Sequence, residues 1–511
     1  MEETGFEGNS PAPWNDAVQD ALLLVGRHNP ILQSHSQAES EPPIVSLQKQ
    51  QDLLRNEIAV LEQLHGKTHP LTLEKTDRLL WLLIDCDKYK AAEKLGRHTF
   101  LALRQSRNIK AACNTLIALA DMYSYQGDNE KAEKAAKKAL DMTTTSGQGT
   151  VLEAKFKLAE KQYNLGKWDE AEDLVSQLLD VDNKRPIPQF YSPPEGPTGL
   201  MAAICLRRGR LKEARDWSAQ TLRIIDVKGS EYSSAWRLKC VEVLLEQWKL
   251  GEASAIITQR LANSLRNFGQ ESMNTESWLW NHGNLSTLQG AWEEAESCLL
   301  ASISTSKKII GPRSRVLHSS LWMLFRVYVE QLAWDKASVV VREYREIPSG
   351  SRLPVMEAEV LDAQGRHKEA YDRACEAMQH YEIQYPLEGP RNNSVMVRIL
   401  RNLGRLEESQ ELGARTLTMA EKMFGNSHPQ TIRCKDNLAR TYMAGGDAVA
   451  AIQAITECVQ LFTAHESVGP DHYLTRRSRD TLTEWLVFAD PASVSPFQVQ
   501  DLSLRNVEML Y

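Results

Sequence analysis

Two histidines precede prolines in matching settings, His69-Pro70 in LHGKTHPLTL and His428-Pro429 in MFGNSHPQTI. Histidine is the side chain whose charge changes nearest neutral pH, so each is a candidate half of an acid–base pair. The first stretch also holds Gly66-Lys67-Thr68, which resembles the end of a phosphate loop, and eight cysteines are candidate thiolate nucleophiles or metal ligands. None of these readings assembles. A catalytic base belongs beside one positioned nucleophile or carboxylate, whereas this histidine recurs, and its place is taken by Ser272 in GQESMNT and Ser314 in GPRSRVL. In the phosphate-loop frame Leu61 stands where the first glycine belongs, and no strand precedes it.

Cys86, Cys113, Cys205, Cys240, Cys298, Cys375, Cys434 and Cys458 lie singly, with no C-x-x-C and no Cys/His cluster at zinc spacing. They are expected as reduced, small, mostly buried residues. The paired acids Glu293-Glu294 and Glu407-Glu408 fall at turns as solvated charge. With no metal motif, nucleophile elbow or dinucleotide fingerprint, the expectation is a protein without catalysis, cofactor or metal.

A chain of 511 residues with 42% hydrophobic residues is large enough to bury a core. Its net charge of -7 and pI near 6.0 argue against nucleic acid, whose phosphates call for a basic face. The acidic start MEETGFEGNSPAP lacks the positive and then apolar run of a secretory signal, and no stretch of about 18 apolar residues follows. An intracellular, cytoplasmic or nuclear, protein with no membrane span is expected.

The elements emerge from internal repetition. GDNEKA to Ala132, GKWDEA to Ala171, GRLKEA to Ala214, GAWEEA to Ala295, GRHKEA to Ala370, GRLEES to Ser409 and GDAVAA to Ala451 share one pattern. CDKYKA to Ala91, WKLGEA to Ala253 and LAWDKA to Ala337 fit the same register more weakly. The final residues fall 41, 39, 43, 39, 42, 42, 33, 39 and 42 apart. Each string separates two apolar-periodic segments long enough for three or four helical turns. Glycine suits the left-handed end of the first helix, and the alanine sits where the two helices come closest. A lone hairpin cannot bury its apolar face, so an all-α solenoid of about ten stacked hairpins is expected.

These units resemble tetratricopeptide repeats, with the small residue of the first helix at Ala120, Ala159, Ala202, Gly283, Ala358 and Ala439. The period near 42, the HP pairs and NLARTY resemble more closely the kinesin-light-chain type, over roughly residues 69 to 488. The resemblance implies a right-handed superhelix that binds partner peptides in its concave groove and carries no activity of its own.

Five loops set the register of the histidines: Gly66, Gly269, Gly311, Gly425 and Gly469 each stand 25 or 26 residues before a repeat alanine or its equivalent place. They are the turns between hairpins. Pro70 and Pro429 fit a first helical turn and force His69 and His428 to be extended, so these histidines read as punctuation.

Residues 1–48 are expected to be largely disordered, with one short helix near Asn15 to Gly26 and a linker over 29–48. Repeats follow over 49–182. Pro186, Pro188, Pro193, Pro194 and Pro197 make 183–199 a loop or a partner ligand, and repeats resume over 200–470. A capping helix covers 471–488 and a tail 489–511.

With each repeat alanine placed at position twenty of its unit, positions two, five, six and nine of the first helix point into the groove. The candidate site is Trp280, Asn281, Asn284, Trp322, Arg326, Arg391, Arg398, Arg433, Asn437 and Arg440, with Arg352 at an equivalent place. Arginine pairs with carboxylates, asparagine clamps backbone amides and tryptophan supplies contact area. The expected partner is a protein or peptide with an acidic or mixed acidic-aromatic segment. LQKQQDLLRNEIAVLEQL, Leu47 to Leu64, is too short for the several heptads that join a light chain to a motor. The alternative is a regulatory or ligand-sensing repeat region of a signalling assembly, similar to the arrays of nucleotide-binding switch proteins. Competing local roles also stand: Trp280 and Trp322 as packing between repeats, and the arginines as partners of acids such as Glu359.

Overall fold

The computed structural model describes residues 43–143, 148–183, 195–228, 234–314, 316–347, 352–384 and 386–488. Helices account for nearly all of them, and they contain no strand. Helix α1, Pro43–His65, leads into ten hairpins. The first five are α2–α3 (Pro70–Asp85, Tyr89–Gln105), α4–α5 (Ile109–Tyr125, Asn129–Met142), α6–α7 (Gln148–Asn164, Trp168–Asn183), α8–α9 (Gly196–Arg207, Leu211–Lys228) and α10–α11 (Ser234–Glu246, Leu250–Phe268). The second five are α12–α13 (Met273–Gln289, Trp292–Ile309), α14–α15 (Leu317–Glu330, Trp334–Arg345), α16–α17 (Leu353–Ala363, His367–Gln384), α18–α19 (Gly389–Asn402, Leu406–Phe424) and α20–α21 (Pro429–Ala444, Ala448–Ala464). Helix α22, Tyr473–Phe488, follows the tenth hairpin. The protein is a helical-repeat solenoid. None of its described helices is long and apolar enough to cross a membrane.

One backbone device makes every hairpin. At Gly127 (φ 77°) the chain turns left-handed, and Asp128 N–H donates to Tyr123 C=O at 2.9 Å, the bond that closes a Schellman cap. The other six glycines of the motif have the same sign of φ. In the three weak copies Asp87, Trp248 and Leu332 take it at 57°, at a cost of about 1 kcal/mol each for a residue with a Cβ. Five residues beyond each turn lies the small residue at the helix contact, fully buried in all ten units. The first unit corrects the sequence register by one: counted from the turn at Asp87, the buried residue is Ala92, while Ala91 is exposed. The small residues of the first helices are equally tight. A Cβ on Gly283 would lie 2.7 Å from Leu299 Cγ.

The loops between hairpins share a second device. His69 and His428 are extended (ψ 140° and 134°), each followed by a proline in the first turn. Their Nδ1 atoms accept from Leu71 N–H and Gln430 N–H, so both are N-caps, as are Ser272 and His472 through their own side chains, and Ser314 accepts from Val316 N–H in the corresponding loop. Thr72, Thr275 and Thr475 close the same loops by donating to the carbonyls of Gly66, Gly269 and Gly469.

Some boundaries differ from the sequence reading. Helix α1 begins inside the expected linker. Helix α8 begins at Gly196, within the proline-rich stretch, because Pro197 occupies the first turn, where no backbone N–H is needed. The expected helix near Asn15 to Gly26, the tail 489–511 and most of the proline-rich stretch lie outside the described residues. Across that stretch Leu178, Leu200 and Trp236 share one core cluster, so hairpins three to five stack without a break.

The solenoid also touches itself every five hairpins. Asp87 of hairpin one accepts from Met273 N–H of hairpin six at 3.2 Å. The Glu246 carbonyl of hairpin five accepts from His428 Nε2, at the start of hairpin ten, at 2.9 Å. The Leu288 carbonyl of hairpin six accepts from His472 Nε2, at the start of α22, at 2.8 Å. Successive turns of the superhelix are therefore closed against each other.

Candidate binding cavity on the concave face

Closure of the turns encloses a cavity of about 140 Å³ where first helices from hairpins four to ten meet α22. Its apolar wall includes Leu245, Trp248, Trp280, Trp322 and Met323. Five arginines, Arg207, Arg326, Arg352, Arg391 and Arg433, and four glutamates, Glu242, Glu246, Glu330 and Glu388, supply its charge.

Six of the ten candidate residues line this space: Trp280, Asn284, Trp322, Arg326, Arg391 and Arg433. The other four do not: Arg398, Asn437 and Arg440 bond to neighbouring repeats, and Asn281 is turned back on its own helix. Asn281 is 3% exposed and donates to Ser277 C=O. Arg398 donates to Asp362 at 2.8 Å and lies 3.6 Å from Glu359, the acid named as its competing partner. Arg440 donates to Asp436 and Thr481, and Asn437 bridges Arg401 and the Ser394 carbonyl.

The arginines inside the cavity are held by acids: Glu330 and Glu388 fall outside the four inward positions, while Glu242 falls on position nine of the fifth unit. Glu388 accepts from Arg352 and Arg391 at 3.2 and 3.1 Å. Burial raises its carboxyl, but Arg391 and Arg352, with Arg326 and Arg207 behind them, outweigh the burial and hold it at about 2. Glu330 accepts from Arg326, Arg433 and Arg477, while Glu242 pairs with Arg207. Arg207, Glu246, Leu288 and Glu330 occupy position thirteen of their units, one helical turn beyond position nine. Extending the inward stripe by i+4 finds them in the sequence.

The balance leaves the centre short of anions. Burial, followed by the like charges of Arg391 and Arg433, brings the Arg326 guanidinium down to about 10 against the pull of Glu330. Arg326 and Arg352 both lie over the Trp322 ring, 5.8 and 5.3 Å from its centroid. Trp280 Nε1–H and Arg391 Nε–H are buried without an acceptor among the described residues. The arrangement offers donors, positive charge and two indole surfaces. It fits an anionic group carried on or beside an apolar body.

The best approach to a nucleophile site lies elsewhere. Cys298 Sγ is 3.7 Å from His282 Nδ1, and Glu294 is 3.9 Å from His282 Nε2. Cys298 is fully buried and its thiol is pushed far up by that burial, which disfavours the thiolate. Among the described residues no group of three or more His, Cys, Asp or Glu could hold a metal ion.

Tetratricopeptide repeat profiles match residues 392–464, 115–148 and 197–220. No curated protein matches the sequence. Among solved structures, the crystal structure of the yeast Tom70 aligns with 11% identity over 87% of this chain and 96% of that chain. Its TM-score is 0.33, too low to bear on this chain's shape or binding.

Proposed function

Because the chain carries tetratricopeptide repeats, we propose that it is a non-enzymatic interaction scaffold that takes an acidic segment of a partner protein into the concave cavity. The observation that carries this reading is Arg326, mostly buried on the face of Trp322 and repelled by Arg391 and Arg433 on the same cavity wall. A ligand carboxylate placed there relieves the repulsion among three guanidiniums, and an aromatic neighbour covers Trp280 and Trp322. Arg352, on the wall of the same site, adds a second anchor. Arg398, Asn437 and Arg440 contribute by holding α16, α18, α20 and α22 in register beside it.

The kinesin-light-chain-like character of the repeats is supported by the G-x-x-[HS]-x-x-T pattern that four of the inter-hairpin loops share. A cytoplasmic setting accords with eight cysteines that form no disulfide. A peptide array carrying acidic-aromatic sequences beside their lysine-substituted counterparts tests the reading. The full chain is expected to retain on the acidic set, and retention on the lysine set alone removes the proposal.

A further inference from the structure

Glu330 is the last residue of α14, and its side chain is 3% exposed. Its carboxylate receives Arg326 from its own helix at 3.2 Å, Arg433 from α20, and Arg477 from α22 at 3.2 Å. The last two partners lie 103 and 147 residues away in sequence. One carboxylate thus gathers guanidiniums from hairpin seven, hairpin ten and the capping helix, on the wall of the cavity. It is the arrangement that an incoming acidic side chain would make with the same arginines.

Resting on the acidic-segment reading above, we propose that Glu330 is a resident substitute for the ligand carboxylate, so that binding proceeds by exchange of one carboxylate for another. The space favours this. A cavity of about 140 Å³ is smaller than the several hundred Å³ of ordinary ligand sites, so a peptide segment enters only as internal groups give way. Glu330 is the group whose release frees the most positive charge at once. Its release also loosens the tie between α14 and the pair α20 and α22, which opens the seam where successive superhelical turns meet. Ligand entry and loosening of the turns are then one event, and the apo protein keeps its groove closed against weakly acidic competitors.

The test is fluorescence anisotropy with a labelled peptide rich in glutamate and containing one tryptophan, added to the full chain. Glu330→Gln preserves the side-chain shape and removes the competing charge, and it is expected to tighten binding about tenfold, within the usual range for coupled sites. Arg477, 45% exposed and outside the cavity wall, offers a second variant that does not threaten the fold. Arg477→Ala removes one hold on Glu330 and is expected to tighten binding by a smaller factor. Glu457→Gln, which removes an exposed acid paired with Lys435 on α20, controls for net charge and is expected to change nothing. Equal affinity for the wild type and both test variants, or weaker binding by Arg477→Ala, overturns the exchange while leaving the acidic-segment reading standing. Absence of peptide binding by every form removes that reading and the exchange with it.

Discussion

His428 Nε2 donates to the carbonyl oxygen of Glu246 at 2.9 Å across 182 residues of sequence, while His428 Nδ1 caps its own helix. Both ring nitrogens are engaged. Burial, chiefly, brings the imidazole down to about 4, so it stays neutral as the geometry requires. The histidine is punctuation in its own loop and also a tie between two turns of the superhelix.

The two His-Pro sites therefore separate on mutation. His428→Ala loses a cap and a buried bond to a distant helix end, for an expected loss of about 2–3 kcal/mol in urea unfolding. His69→Ala loses the cap to Leu71 and an exposed stack on His65 but no bond to a distant helix, and about 0.5–1 kcal/mol is expected. Equal losses at the two sites would remove the role assigned to the tie.

Glu276 makes stability fall as pH rises. Its carboxyl is buried against Ser302 at 2.7 Å, and burial, only partly offset by the serines, raises it from 4.5 to about 7. The folded chain then holds a proton that the unfolded chain has released between about pH 4.5 and 7. Stability declines across that window and levels off above it, by at most about 3 kcal/mol from this group. Neutral His428 acts with the opposite sign between 4 and 6.5, because there the unfolded state binds the extra proton. Glu276→Gln is expected to raise the melting temperature at pH 8 and to flatten the decline. A decline unchanged by the substitution shows that another group is responsible.

The hairpin count and the loops were legible because each rests on a backbone requirement that the residue types display: glycine at a left-handed turn, proline in a first turn, and a small residue at a helix contact. The first unit slipped by one because Asp87, not glycine, makes its turn, and two adjacent alanines gave the pattern no way to choose. Arg107 makes a turn of the same kind without glycine. It is left-handed at φ 57° and joins α3 to α4. The candidate site was legible only in part, since inward positions follow from helix periodicity whereas their acidic partners come from helices far away in sequence. Arg433 and Arg440 show the consequence. They stand on Glu330 and Asp436, which are nearly fully buried, so reversing both charges strips two interior acids of partners and unfolds the region as well as altering the groove.

The corrected register has its own check. Ala92→Leu overpacks the contact between α2 and α3 and is expected to destabilise by about 1–3 kcal/mol, as is Ala295→Leu in hairpin six. Ala91→Leu, on the exposed side of α3, is expected to stay within about 0.5 kcal/mol of the parent. Thermal melts in which the Ala91 variant suffers and the Ala92 variant does not would restore the register read from the sequence.

The most direct test of an acidic-segment groove is an equilibrium titration of the full chain with a labelled acidic-aromatic peptide at low and high salt, beside the same peptide with lysine for every glutamate. The acidic peptide is expected to bind, with an affinity that falls as salt rises and the charges are screened over about 10 Å at 0.1 M. The lysine peptide is expected not to bind. Arg352→Gln, which leaves Arg391 on Glu388, is expected to weaken the acidic peptide about tenfold, the loss typical of one charge-assisted bond. Binding of both peptides alike, indifferent to salt and to Arg352→Gln, would contradict the account and place the recognition surface outside the cavity.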